Sequence, residues 1–241
     1  MAFNPELHAV SQSGGQFKKR SHPTHNGDNW SSTAHVIGNN GWEAFKFLFY
    51  GPGGNLYAVK EHDGSFWTGP PPAHSQDNWS ARAQQIGTNG WNAFKFLFFS
   101  PDGQLYAVNQ NGSFSRGPPP THAHDNWSAR AQCVGTAGWT GFQFLFFGTD
   151  YQLYAVKNDG SFIRGPPPAH AQDNFSARAT VIGTAGWNSF KFLFFGCDGQ
   201  LYAAKSDRFA RAPPPTHGGD NWTARSTQIG SAGWTSFKFL F

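Results

Sequence analysis

This chain is short of charge. Asp, Glu, Lys and Arg make up 13% of its 241 residues, and only three are Glu: Glu6, Glu43 and Glu61. Cleaving a glycosidic bond takes two carboxylates converging on one substrate, one of them protonated. The three Glu stand at unrelated positions, and the Asp residues recur mostly in turns. There is no Gly-x-Ser-x-Gly elbow, no cluster with zinc-ligand spacing and no phosphate loop. The chain reads as a non-enzyme that works without a cofactor.

Basic residues are sparse too. The 18 Lys and Arg leave a formal net charge of +4 and never form the dense run of a nucleic-acid groove or membrane stripe. Attraction to acidic surfaces is at most an accessory property. No stretch approaches the ~18 apolar residues of a membrane span, so membrane insertion is not expected. The opening MAFNPELHAV has neither a basic n-region nor an apolar run, and no signal peptide is read there. Cytosolic, granule-stored and unconventionally secreted locations all remain open.

What the chain has in quantity is aromatic side chains, 17% of the total, with 29 Gly and 16 Pro set at regular intervals. Asp-Asn-Trp occurs at 28–30, 77–79, 125–127 and 220–222, with Asp-Asn-Phe at 173–175, giving spacings of 49, 48, 48 and 47. Gly-Trp follows at 41–42, 90–91, 138–139, 186–187 and 233–234, and then Phe-(Lys or Gln)-Phe-Leu-Phe from Phe45, Phe94, Phe142, Phe190 and Phe237. Repeats of this period mean a stacked or radial array. FKFLFF, apolar on both faces, suits a strand sandwiched between sheets. After it come Leu105-Tyr106-Ala107-Val108 and an Asn-Gly or Asp-Gly hairpin turn such as Asn111-Gly112. A short strand around Phe114 and a Gly-Pro-Pro-Pro crossover complete the third part of the unit. The last strand is placed on Trp-Ser-Ala-Arg-Ala-Gln.

Four strands in under fifty residues make a propeller blade. The expected fold is therefore all-β: one domain over 1–241, a five-bladed β-propeller of four-stranded antiparallel sheets. The chain starts mid-unit at Asn4-Pro5-Glu6-Leu7-His8-Ala9-Val10 and stops mid-unit after Phe237-Lys238-Phe239-Leu240-Phe241. Pairing these two terminal strands would close the ring and remove two raw sheet edges.

The string Asp77-Asn78-Trp79-Ser80-Ala81-Arg82-Ala83, with Ile86-Gly87, Gly90-Trp91 and Phe94-Lys95-Phe96-Leu97-Phe98-Phe99, resembles the repeat of tachylectin-2-like lectins. So do the Pro-Pro crossover and the half-unit offset of the ends, and the resemblance runs along essentially the whole chain. It implies a five-bladed lectin for N-acetylglucosamine and N-acetylgalactosamine, with one site per blade and a role in innate defence. The residues suit a sugar independently. A pyranose needs fixed donors and acceptors for its hydroxyls, a partner for its acetamido group and an apolar wall for its C–H face. Weak sites repeated on one rigid monomer gain by avidity on a dense glycan surface.

Three sets of residues are candidates for contact with N-acetylated hexosamines. The first is Asp28 with Asn29, Asp77 with Asn78, Asp125 with Asn126, Asp173 with Asn174, and Asp220 with Asn221. The second is Trp42, Gly90 with Trp91, Gly138 with Trp139, Gly186 with Trp187, and Gly233 with Trp234. The third is Arg82, Arg130, Arg178 and Arg225, where the first copy carries Thr33 instead. A plainer reading stands beside these: Asp-Asn is a common turn and capping pair, and the Trp of Asp-Asn-Trp can simply pack between blades. The strand assignment puts Asp-Asn-Trp and Gly-Trp on opposite rims, so one site should not contact both. The histidines three residues before each Asp-Asn (His25, His74, His122, His170, His217) are read as crossover packing rather than metal ligands. Lys46, Lys95, Lys191 and Lys238, with Gln143, are read as a solvated channel lining. Cys133 and Cys197 sit at non-equivalent points of the repeat and are read as free thiols. A protein-interaction scaffold is the alternative function, though scaffolds usually let rim residues diverge between blades.

Overall fold

The computed structural model describes residues 6–241. Four sheets are built from consecutive chain. The first comprises Phe45–Tyr50, Leu56–Lys60, Phe66–Gly69 and Gln84–Gly87. Its successors start at Phe94, Phe142 and Phe192, and these four are numbered blades one to four. The fifth sheet orders Phe237–Leu240, Glu6–Ser11, Phe17–Ser21 and His35–Gly38, so it joins the two ends of the chain. Ala9 lies opposite Leu240 and Val10 opposite Phe239. His8 and Phe241 exchange backbone hydrogen bonds of 2.7 and 3.0 Å. The expected closure is thus present, and the ring is a five-bladed, all-antiparallel propeller. Asn4 and Pro5 of the expected first strand lie outside the described residues.

The apolar cores lie between sheets, and alternation along the strands explains why. In Leu56–Lys60, Leu56 and Ala58 face the closing blade, packing with Val10, Phe17 and Trp42. Tyr57 and Val59 face the other way, packing with Phe94, Leu97 and Leu105 of blade two. A period-2 strand with both faces covered supplies one apolar set to each of two seams. Five such clusters, each mixing residues of two neighbouring sheets, make up the core.

One strand assignment needs correction. Trp-Ser-Ala-Arg does not open the last strand. Trp79–Arg82 is a single α-helical turn, and the strand begins at Gln84. Asn78 is the cap: its Oδ1 accepts from the Ala81 N–H at 3.3 Å, and the Ala83 N–H returns to the Trp79 carbonyl at 2.8 Å. An Asn cap followed by good helix formers outweighs the alternation of small side chains, which four residues cannot distinguish from one helical turn.

The lysines also do more than line a solvated channel. A β-bulge skips Lys46 between Phe45 and Phe47, and the same shift recurs at Phe94/Phe96 and Phe142/Phe144. The extra residue is released from the ladder and re-aimed. Lys46 Nζ donates to the Asn92 carbonyl (2.5 Å), Lys95 to Thr140 (2.6 Å), Lys191 to Thr235 (2.7 Å) and Lys238 to Glu43 (2.6 Å). Gln143 Nε2 does the same to Asn188 at 2.7 Å. Each inner strand therefore holds the entry turn of the next blade in a closed cycle.

At the ring closure a histidine replaces the tyrosine of the sister blades. His8 stands where Tyr57, Tyr106, Tyr154 and Tyr202 stand elsewhere, is 1% exposed, and meets the Tyr50 hydroxyl at 3.0 Å through Nε2. Burial drives its pKa from 6.5 down to about 4. Between those values the unfolded chain binds the proton and the folded ring does not, so stability rises with pH across the window and is lost on descending it. The full shift amounts to roughly 3 kcal/mol. Replacing the pair by His8→Tyr with Tyr50→Phe, the combination at the Tyr57/Phe99 seam, is expected to flatten the stability profile between pH 6.5 and 4 in denaturant titrations. An unchanged slope would place the acid sensitivity elsewhere.

Candidate functional site

Asp-Asn-Trp clamps the proline crossover. In blade two, Asp125 takes the Arg130 Nε and Nη2 at 2.8 Å each and the Thr121 N–H at 3.1 Å. Arg130 also donates to the Pro118 carbonyl (2.9 Å) and the Pro119 carbonyl (3.0 Å), and the Trp127 indole N–H joins Pro118 at 2.9 Å. Prolines supply acceptors with no N–H of their own to satisfy, so the triple proline and the arginine complement each other. Trp79 and Trp222 repeat the indole bond on Pro70 and Pro213. Phe175 cannot make it, yet is equally buried. Hydrogen bonds from Arg82 pull the Asp77 pKa down to about 2 against opposing desolvation, and Asp125, Asp173 and Asp220 shift the same way through their own arginines. The Asp77–Arg82 pair therefore persists through the mildly acid range and is lost only as pH falls towards 2.

The copy lacking an arginine has one after all. Arg20 Nη1 reaches Asp28 Oδ1 at 2.8 Å and the Thr33 hydroxyl at 2.5 Å. It comes from the third strand of the closing blade, at the position held by Gly69, Gly117 and Gly165 in blades one to three. An arginine eight residues before the Asp, rather than five after it, falls outside the repeat's pattern and was invisible to it.

Gly-Trp builds the opposing wall. Gly90 begins a 3₁₀ turn at φ +80°, a left-handed conformation that other residues adopt only under strain. The Trp91 indole lies directly on Gly87, where an added Cβ would stand 2.1 Å from Nε1. Its ring centroid is 4.6 Å from Phe66, 5.7 Å from Phe94 and 5.6 Å from Trp127. Among the described residues no protein acceptor takes its N–H.

The expected separation of the two motifs on opposite rims is overturned by connectivity. Gly-Trp of each copy meets Asp-Asn-Trp of the next copy. The centroid distances are 5.6 Å for Trp42 and Trp79, 5.6 Å for Trp91 and Trp127, 5.5 Å for Trp139 and Phe175, and 5.6 Å for Trp187 and Trp222. Trp234 and Trp30 complete the cycle at 5.7 Å across the closing blade. Above the Trp91–Trp127 pair lies a groove of about 360 Å³ with Asn89 and Gly90 on one side and His124, Asp125 and Asn126 on the other. The groove over Trp187 and Trp222 holds about 510 Å³, with Gly186 facing Asp220 and Asn221. Both fall within the roughly 300–1,000 Å³ of ligand pockets. Asp-Asn and Gly-Trp thus share a groove, whereas Arg130 does not line it but turns to a separate hollow with Arg116 and Gln132.

The repeated histidines contribute a backbone carbonyl: His122 accepts from the Asp125 N–H at 3.0 Å, and His25, His74, His170 and His217 do likewise. No cluster of three metal-ligating side chains occurs among the described residues. Cys133 and Cys197 are free and exposed. No helix is long and apolar enough to cross a membrane among the described residues.

Gly87→Ala tests the indole's seat. A methyl group there forces the Trp91 ring or its turn to move, and such overpacking costs about 1–3 kcal/mol. The variant is expected to melt lower by roughly 2–4 °C per kcal/mol. An unaltered melting temperature would show that the Trp91 ring is not held in place.

The tachylectin family model matches residues 3–132 and 61–241. A solved structure described as the de novo evolutionary emergence of a symmetrical protein shaped by folding constraints superposes with a TM-score of 0.89 at 35% identity. That match covers 98% of this chain and 97% of the other. Virginiamycin B lyase from Staphylococcus aureus reaches only 0.41 at 11% identity, over 87% of this chain and 67% of its own. By the family match and the 35%-identical structure, the chain belongs to the tachylectin family, as a lectin-type propeller.

Proposed function

We propose that the chain is a monomeric, multivalent lectin for N-acetylglucosamine and N-acetylgalactosamine, binding one sugar in each groove between blades and acting without a cofactor or chemical step. The observation that carries this reading is the pairing of a Gly-Trp turn with an Asp-Asn segment at every seam, with a groove between the two over Trp91–Trp127 and over Trp187–Trp222. Fivefold repetition of the same motif pair favours one small ligand bound several times over a single asymmetric partner. The family resemblance supplies the sugar class and the suggestion of innate defence through agglutination.

Within the groove the donors left over from structural duty are the ones that meet the sugar. Asp125 is occupied by Arg130 and Thr121, so it orients the crossover and contributes charge. Asn126 uses its Oδ1 as the helix cap, while its Nδ2 has no protein acceptor among the described residues. That amide and the Trp91 N–H are free to meet an acetamido carbonyl or ring hydroxyls. The arginines Arg82, Arg130, Arg178 and Arg225 act through Asp as positioning residues.

Titration calorimetry of the whole protein tests this. N-acetylglucosamine is expected to bind saturably with stoichiometry near five, including the groove beside Asp28 where Arg20 replaces the missing arginine, and glucose is expected to give no response. Asn126→Ser keeps a good helix cap but removes the amide donor, so it should lower the stoichiometry by one without lowering stability. A flat trace with N-acetylglucosamine and N-acetylgalactosamine at millimolar sugar would retire the hexosamine site in favour of a protein-interaction scaffold.

A further inference from the structure

The Asp125–Arg130 ion pair is a wall with a depression on each side. Asp125 lines the groove, and Arg130 lines a hollow of about 290 Å³ with Asp102, Gln104, Arg116 and Gln132. Blade four has the same hollow, about 340 Å³, with Asp198, Gln200, Arg211 and Arg225. Blade three carries the matching residues Asp150, Gln152, Arg164 and Arg178. In all three the second arginine stands opposite a tyrosine of the neighbouring strand: Arg116 at Tyr106, Arg164 at Tyr154, Arg211 at Tyr202.

The two arginines of a hollow have unequal duties. Arg130 is spent on Asp125 and two proline carbonyls. Arg116 makes only Nε to Gln132 Oε1 at 3.2 Å and Nη1 to the Tyr106 hydroxyl at 3.3 Å. It has no carboxylate within 4.0 Å and no acceptor on Nη2 among the described residues. Arg164 and Arg211 donate through Nη1 to the tyrosine hydroxyls at 3.4 and 3.1 Å. The same Nη1 pairs with Asp150 at 3.9 Å in Arg164 and donates to Asp198 Oδ2 at 3.4 Å in Arg211, leaving Nε and Nη2 without an acceptor among the described residues. Those two carboxylates accept the same tyrosine hydroxyls at 2.9 Å, and Asp102 accepts from Ser100 Oγ. Each of the three blades therefore keeps a guanidinium with open donors, a third exposed in Arg164 and Arg211, on the same blade as a second guanidinium held by its own Asp. Planar forked donors of this kind select oxyanions.

The other two blades lack the pair. Blade one has Thr68 at the Arg116 position. The closing blade has Lys19, bound to Glu6 at 2.8 Å, and Thr33 in place of the clamp arginine.

We infer that the arginine pairs Arg116 with Arg130, Arg164 with Arg178, and Arg211 with Arg225 form oxyanion sites, taking the sulfate ester or carboxylate of an acidic glycan whose neighbouring sugar fills the groove across the ion pair. The glycan carrier rests on the sugar reading above, but the oxyanion site does not. The protein would then be a lectin with two kinds of site, neutral at every seam and acidic on three blades.

Inorganic sulfate is the first probe, with chloride at matched ionic strength as control, read by the arginine Nε–H resonances of the whole protein. The comparison is with the combined variant Arg116→Thr, Arg164→Thr and Arg211→Thr, since Thr68 already occupies this position in blade one. Saturable, sulfate-specific shifts in the parent that weaken at least tenfold in the variant, with an unchanged melting temperature, are expected. No response beyond chloride, or an equal response in the variant, overturns the sites. N-acetylglucosamine 6-sulfate then identifies the carrier. It should bind about tenfold more tightly than N-acetylglucosamine, an advantage lost in the variant while plain N-acetylglucosamine binds as before. Sulfate binding without that advantage overturns the glycan carrier. Sulfate binding with no response to either sugar leaves the oxyanion sites standing and removes the lectin reading instead.

Discussion

Two aromatic rings about 5.6 Å apart, one from each side of a seam, are the contact on which the rest of this ring depends. The Gly-Trp ring enters from the turn that leaves one blade, and the Asp-Asn-Trp ring from the crossover of the next. Both are almost wholly buried, between phenylalanines that belong to both sheets. A blade has little core of its own, because its second strand sends alternate side chains to two different seams. Stability is therefore a property of neighbouring pairs, and the ring has to close for the last pair to form. The bulged lysines and Gln143 repeat that logic in hydrogen bonds, each reaching the carbonyl of the following blade.

The same contact explains why a groove lies where it does. Seating an indole on Gly87 takes a tight turn with a left-handed glycine at Gly90, and that turn stands up beside the crossover that Asp125 and Arg130 hold down. The gap between these two raised backbones is the groove. Its walls are set by residues with structural work to do, which accounts for their recurrence at every seam. Phe175 marks the limit of that work: burial of a ring is needed, and the indole bond to a proline carbonyl is not.

The blade count and ring closure were legible because spacing and phase survive in a single sequence. Five copies at 47–49 residues and two complementary half-units point to one architecture. The helical turn at Trp79–Arg82 was not legible, since four residues fit both periods and the Asn78 cap favours the helix. Pairing of Gly90-Trp91 with Asp125-Asn126 was hidden for a different reason. The two motifs lie 35 residues apart in successive copies, and reading within one copy places them on opposite rims. Arg20 was hidden because it serves Asp28 from a position that is glycine in three sister blades. What the repeat shows is which residues recur; which copies meet is decided by how one sheet follows another around the axis.

Under the proposed function, the seam holding the blades together is also where a sugar binds. A crystal structure of the protein with N-acetylglucosamine tests it most directly. A sugar is expected between each Gly-Trp turn and the following Asp-Asn segment, with its acetamido group within hydrogen-bonding distance of the Asn side chain. A sugar bound in the central channel, or on the outer faces of the blades with the grooves unoccupied, would contradict it.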